Sequence, residues 1–264
     1  MDINLFLEKI PLLYLYFITA AAVFLSIMIG YRVGIYVQNR RKITKDAKLG
    51  SIIGAMLGLL AFILAFTFGA ATSRFDDKKQ LLLDEVNAIG TTFLRTDFLA
   101  QPERADARKL LKKYVDLRVN ILKNPKQLPQ VIIESEKIQS MLWSQVSSVS
   151  NKQSDPVLLS LYIQSLNDVI DLHTKRVTVG LQYRIPGNIW MTLYFVTILT
   201  MLAVGYEFGL NGAGSNLISL ILALAFSAFI LLIADLDRGV AGTLRVSQKP
   251  LIELQQKLNN SLDK

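Results

Sequence analysis

Few side chains in this sequence could make or break a covalent bond. There is no cysteine, which removes thiol nucleophiles, thiolate metal sites and disulfide frameworks, and there is one histidine, His173. His173 continues the apolar stripe Leu159, Tyr162, Leu166, Val169 at helical spacing, so it reads as a core histidine in preference to a pH sensor. Asp235 and Asp237 follow the last long apolar stretch and read as groups that cap or pair with Arg238 at a membrane interface, the alternative being that they shape an aqueous vestibule. GLNGAGSN (209–216) has the glycines of a phosphate cradle but no trailing Lys-Ser/Thr, and it lies between two apolar stretches, so it reads as a turn. No nucleophile–base pair is visible, so an enzyme, a metal site and a cofactor are not expected. What remains is non-covalent chemistry, centred on Phe62 and Phe66, four residues apart in a run of small and aliphatic residues that switches abruptly to Arg74, Asp76, Asp77, Lys78 and Lys79.

Those side chains need a scaffold, and composition bounds it. Of 264 residues, 52% are hydrophobic and 19% charged, too apolar for an ordinary soluble domain and too charged for a bundle lying wholly in lipid. A spanning helix needs about 20 apolar residues to cross roughly 30 Å of hydrocarbon. Residues 10–31, 49–73, 185–206 and 208–234 qualify, each without Asp, Glu, Lys or Arg. The first is read as a permanent helix and not a cleaved signal, because the run is long, follows Asp2 and Glu8, and lacks a clear cleavage site. YEFGLNGAGSN (206–216) is expected to turn tightly between the last two spans.

Between the second and third spans lie about 110 residues of another character. Leu82, Val86, Ile89 and Phe93 recur at helical spacing, as do Leu110, Tyr114, Leu117 and Ile121, and the stripe from Leu159. Breaks are expected at QPE (101–103), KNPKQLPQ (123–130) and SDP (154–156). Pro250 opens a further helix with Leu251, Leu254, Leu258 and Leu262 on one face, packed on the central domain or lying at the membrane. The fold class is therefore all-α: a polytopic membrane protein with four transmembrane helices and a helical soluble domain inserted between the second and third. The expected domains are 1–73, 74–184, 185–235 and a C-terminal amphipathic segment, 236–264.

The formal charge of +8 comes from basic residues interleaved with acids, which points to anionic membrane lipids or small inorganic ions as partners and away from nucleic acid. Lysine and arginine near the span ends favour both termini and the central domain inside, against a basic first loop, QNRRKITKDAK. On the second span, Gly54, Gly58, Ala61, Ala65 and Gly69 share one face, suited to close helix packing within one subunit or between subunits. Ala55, Leu59, Phe62, Phe66 and Ser73 share the adjacent face, and spacing alone makes the phenylalanines lipid-facing or core aromatics.

AFILAFTFGAATSRFDDKKQLLLDEVNAI (61–89) resembles the second transmembrane segment of bestrophin channels. YRIPGNIW (183–190) is similar to the bestrophin approach to the third helix, and DLDRGVAGTLRVSQKPL (235–251) resembles the acidic segment after the last helix. It is closer still to the Asp-Leu-Asp-Arg-Pro-Phe-Ser-Gly of the bacterial bestrophin-like family. Gly239, Val240 and Ala241 replace Pro-Phe-Ser, and no calcium-clasp acidic cluster is present. The resemblance implies a homopentameric ion channel passing small anions such as chloride, in a bacterial inner (plasma) membrane. It implies a hydrophobic pore neck at Phe62 and Phe66 with Gly58 or Leu59 at the outermost position, and Ala55 and Ser73 lining the path. The competing reading is a membrane-anchored helical scaffold or sensor without a pore.

Overall fold

The computed structural model describes residues 10–41, 47–121, 124–150, 155–212, 216–238 and 242–262. These residues form helices joined by short connections, with no strand among them. The chain divides into two compact units, Met1–Phe75 with Arg184–Leu244, and Asp76–Tyr183 with Arg245–Lys264.

The first unit contains α1 (Leu12–Arg41), the first part of α2 (Ala47–Arg95), α6 (Gly187–Asn211) and α7 (Asn216–Asp237). The described chain has four helices long and apolar enough to cross a membrane. Their shared core holds Val23 and Ile27 of α1, Leu60, Leu64 and Ala71 of α2, Trp190, Leu193 and Met201 of α6, and Ala223, Ile230 and Ile233 of α7. Backbone proximity is greatest between α1 and α6. A Cβ on Gly205 would lie 2.0 Å from the Ile27 carbonyl oxygen, and one on Gly30 would lie 2.0 Å from that of Leu202. Gly34 and Gly209 meet in the same way one turn further on. Each helix thus offers Gly-x-x-x-Gly, which lets two backbones touch where any side chain would hold them apart.

Two helices run past their apolar stretches. The α1 helix continues through Gln38 and Arg40, where the Arg40 guanidinium lies 4.8 Å from the centre of the Tyr36 ring, so part of the expected first loop is helical. The α6 helix continues through Glu207 to Asn211 and ends at Gly212, whose φ of 63° is the left-handed cap that favours glycine. The turn between the last two spans is therefore shorter than YEFGLNGAGSN, and 213–215 lie outside the described residues.

The second unit contains the remainder of α2, α3 (Glu103–Asn120), α4 (Leu128–Ser150), α5 (Pro156–Val177) and α8 (Lys249–Leu262). Asp155 caps α5 by accepting from the N–H groups of Val157 at 2.8 Å and Leu158 at 3.4 Å, with Pro156 in the first turn where its missing N–H costs nothing. Leu82, Ile89 and Phe93 are buried against Leu159, Tyr162, Leu166 and Val169, as their spacing predicts. On α3 the buried face is Ala107, Leu111, Tyr114, Val115 and Val119, while Leu110 and Leu117 are only partly covered. The expected stripe is centred about one residue off because both series are apolar and share Tyr114. Leu251, Leu254 and Leu258 of α8 are buried in this same core, and Gln255 donates to Asp116 at 2.6 Å, which decides for packing on the central domain. The side chain of Leu262 lies outside the described residues.

Candidate functional site

The apolar part of α2 has two unlike sides. Ile53, Leu60, Leu64, Thr67 and Ala71 are buried against the other helices of the first unit. Gly54, Ala55, Gly58, Leu59, Ala61, Ala65, Gly69 and Ser73 are exposed, with Phe62 and Phe66 the most open large side chains on that helix side at 68% and 65%. A Cβ on Gly54, Gly58 or Gly69 would meet no atom within 4 Å. Among the described residues, no atom of the same chain packs on Gly54, Gly58 or Gly69, and neither phenylalanine lies in the core. Three residues separate Leu59 from Phe62 and four separate Phe62 from Phe66, so their side chains stack along the axis at intervals of roughly 4.5 and 6 Å. Between Gly54 and Gly69 this face has no charge and no hydrogen-bonding side chain, with Ser51 and Ser73 at its two ends. Chemically it can only constrict, exclude water or contact another apolar surface.

The end of this face is fixed by ion pairs and backbone contacts within the first unit. Arg74, the first charge after the apolar run, pairs with Asp237 at 3.1 Å. Asp237 also accepts from the Ile185 N–H at 2.9 Å, and its own carbonyl accepts from Arg184. One carboxylate therefore ties the exit of α2 to the end of α7 and the approach to α6, which accounts for YRIPGNIW and DLDR occurring together. Asp235 accepts from the N–H groups of Thr243 at 2.7 Å and Leu244 at 3.2 Å and from the Thr243 hydroxyl, folding the chain back after α7. A Cβ on Gly242 would stand 2.6 Å from Asp235 Oδ1 and 3.0 Å from the Asp235 carbonyl oxygen, so a side chain there would push the carboxylate off these hydrogen bonds. Arg238, the partner expected for the two aspartates, donates to the Ile10 carbonyl at 2.5 Å. Gly239, Val240 and Ala241, on which the departure from Pro-Phe-Ser turns, lie outside the described residues.

A second polar constellation, in the other unit, is one that the sequence reading does not single out. Glu85 is fully buried and pairs with Arg118 at 3.2 Å and with Arg176, and it accepts from the Tyr114 hydroxyl at 2.7 Å. Burial by itself raises the Glu85 carboxyl, but the Arg118 and Arg176 guanidiniums and the tyrosine hydrogen bond outweigh it and bring it down to about 2. His173 Nδ1 lies 3.1 Å from the Tyr114 oxygen. The same Nδ1 lies 3.5 Å from an Arg118 guanidinium nitrogen, and Nε2 has no hydrogen-bond partner among the described residues. Burial first, then Arg118, push His173 down to about 4, so it is neutral at pH 7. The core placement expected for His173 holds, with one nitrogen unsatisfied. The signal for the cluster is present in the sequence: Glu85 falls on the Leu82, Ile89, Phe93 stripe, Arg118 on the Leu111, Tyr114, Val115 face, and Arg176 continues the series from Tyr162 to His173.

Among the described residues no group of three or more His, Asp or Glu side chains is placed to hold a metal ion.

Comparison with curated protein sequences gives no match. Among solved structures, a single-substitution variant of a membrane protein superposes with a TM-score of 0.68 at 12% identity, covering 96% of this chain and 99% of that one. One point variant of a bacterial bestrophin homologue from Klebsiella pneumoniae gives 0.66 at 13% identity, covering 96% and 99%. Another point variant of the Klebsiella pneumoniae homologue gives 0.66 at 14%, covering 94% and 98%. At these identities the superpositions establish a shared fold over nearly the whole chain. The family model for the bestrophin-like domain matches residues 17–251. With most of its length under that model, the chain belongs to the bestrophin-like family.

Proposed function

We propose that this chain is one subunit of a homo-oligomeric ion channel whose conduction path is lined by the exposed side of α2, with Leu59, Phe62 and Phe66 forming its hydrophobic neck. The observation that carries the reading is the uncovered, uncharged side of α2, where two stacked phenylalanines stand beside glycines that touch none of the described residues. Four helices cannot enclose a water-filled path while satisfying their backbones, so a pore requires several subunits around an axis. A ring of phenylalanines at the axis gates by dewetting, and the positive ring edges face a passing anion better than a cation. Small anions such as chloride are the substrate, with Ala55 and Ser73 on the path and Gly54, Gly58, Ala61, Ala65 and Gly69 against the neighbouring subunit's helix. Five subunits, a bacterial inner membrane and cytoplasmic termini follow the family resemblance and the lysine and arginine balance.

The test is purified protein in planar bilayers under asymmetric salt, wild type beside Phe62→Ala/Phe66→Ala. Removing bulk from every subunit at once widens the neck, so open probability or conductance rises. If the rings instead pack against another apolar surface, truncation costs about 3–5 kcal/mol per buried phenylalanine and lowers yield without enlarging any current. An intact oligomer carrying no more current than wild type rejects the neck. A silent wild type favours the pore-less scaffold.

A further inference from the structure

A cleft of about 460 Å³ opens within the second unit, between α2 and α5. The two helices run antiparallel there: Thr92 donates to the Ser165 carbonyl at 2.9 Å and Arg95 to the Leu161 carbonyl at 2.6 Å, while Glu85 pairs with Arg176 further back along α2. The α2 wall presents Asp84, Asn87, Ala88 and Thr91, and the α5 wall Asp168, Asp171, Leu172 and Lys175. Asp168 and Asp171 stand one turn apart and are exposed, and their carboxylates have no partner among the described residues. Asp84 accepts an amide hydrogen from the neutral Gln80 at 2.8 Å, so its charge is not offset. Arg95, at the other end, is turned to the Leu161 carbonyl, and Lys175 lies at the Asp84 end. The middle of the cleft therefore holds carboxylates without a cation, beside the apolar surface of Ala88 and Leu172 and the side-chain oxygens of Asn87 and Thr91.

We propose that this cleft binds a short aliphatic diamine, with one ammonium group shared by Asp168 and Asp171, the other on Asp84, and the methylenes lying over Ala88 and Leu172. The volume suits a small molecule. Along the helix axis, Asp84 is roughly one to two turns, about 5 to 11 Å, from the level of Asp168 and Asp171, so one ammonium cannot serve all three carboxylates and a chain with a charge at each end can. A hard metal ion is a poorer fit, since it gathers several oxygens around one point and has no use for an apolar wall. No group of three or more His, Asp or Glu side chains among the described residues is placed for that. The plainer alternative is that these aspartates are the solvated faces of two helices and bind nothing in particular. The proposal does not depend on the pore.

Calorimetry on the purified full chain in an uncharged detergent at low salt, with the melting temperature as a second readout, tests it. 1,4-Diaminobutane is expected to bind saturably and to raise the melting temperature. 1-Aminobutane, which can occupy only one end, is expected to bind about tenfold more weakly or worse, the effect of losing one charge-assisted hydrogen bond. Asp168→Asn/Asp171→Asn is expected to weaken the diamine by about tenfold or more, and Asp84→Asn to bring it down to the affinity of the monoamine. Lys175→Ala is expected to tighten it, because the lysine is a fixed cation competing for the same carboxylates. These side chains are exposed or half-buried and sit outside the core, so the variants are expected to keep wild-type helical circular dichroism. No saturable binding by either readout, equal affinity for the two amines, or a diamine isotherm unchanged in Asp168→Asn/Asp171→Asn overturns the proposal. Magnesium chloride binding the same aspartates more tightly than the diamine overturns it as well. A wild type that carries no current rejects the pore and leaves each of these outcomes as it is, because binding is read without current.

Discussion

The Glu85 cluster shows how one buried carboxylate can organise a helical core. Two guanidiniums and a phenol converge on it, with the His173 imidazole behind the phenol, and removing its charge leaves Arg118 and Arg176 facing each other without a counter-ion. Glu85→Gln is expected to destabilise the protein by about 3–5 kcal/mol at pH 7, read as a lowered melting temperature in detergent. The pH dependence has a definite sign. Both Glu85 and His173 have folded pKa values below their ordinary ones, so the stability each represents is present above its unfolded pKa and is lost as pH falls toward the folded value. For His173 the loss begins near pH 6.5 and extends to about 4; for Glu85 it runs from about 4.5 to about 2. Melting curves between pH 7.5 and 5 isolate the histidine. His173→Gln, which cannot titrate, is expected to flatten that decline, and an identical decline in the variant would falsify the assignment of His173 as buried and neutral.

At the scale of elements, the glycines fall into two classes that the sequence does not distinguish. Gly30, Gly34, Gly205 and Gly209 bring α1 and α6 into backbone contact, while Gly54, Gly58 and Gly69 face open space in their own chain. The same type of substitution should therefore fail in different ways. Gly205→Leu places a side chain where even a Cβ would lie 2.0 Å from the Ile27 carbonyl oxygen, and it is expected to prevent the first unit from folding, read as loss of expression and of helical circular dichroism. Gly58→Leu meets none of the described residues of its own chain, so the subunit is expected to fold while the oligomer dissociates, read by native mass measurement in mild detergent. A Gly58→Leu oligomer as stable as wild type would show that this stripe is no seam between subunits.

At the scale of the whole molecule, the lysine and arginine balance sets which side of the membrane each exposed segment is expected to occupy. Single cysteines replacing Asn39, Asn124 and Ser261 in the cysteine-free chain can be labelled in intact cells with an impermeant thiol reagent, and reaction is expected at 39 alone. Reaction at 124 without 39 inverts the topology and puts the central domain outside. The four spans, the helical central region, its punctuation at 101–103, 123–130 and 154–156, and the C-terminal leucine face were legible because they depend on local quantities: length against bilayer thickness, period 3.6, and residues that start or stop a helix. Family membership was legible in 61–89, 183–190 and 235–251 for a related reason, since ion-pair partners such as Arg74 and Asp237 carry their chemistry in their own types. What stands opposite each residue was not legible. The pattern Gly-x-x-x-Gly is the same whether a backbone or open space faces it, a glutamate on an apolar stripe looks misplaced until Arg118 and Arg176 arrive from 33 and 91 residues away, and Leu110 competes evenly with Leu111 for the core. Those choices are made by contacts distant along the chain, and only the tertiary structure supplies them.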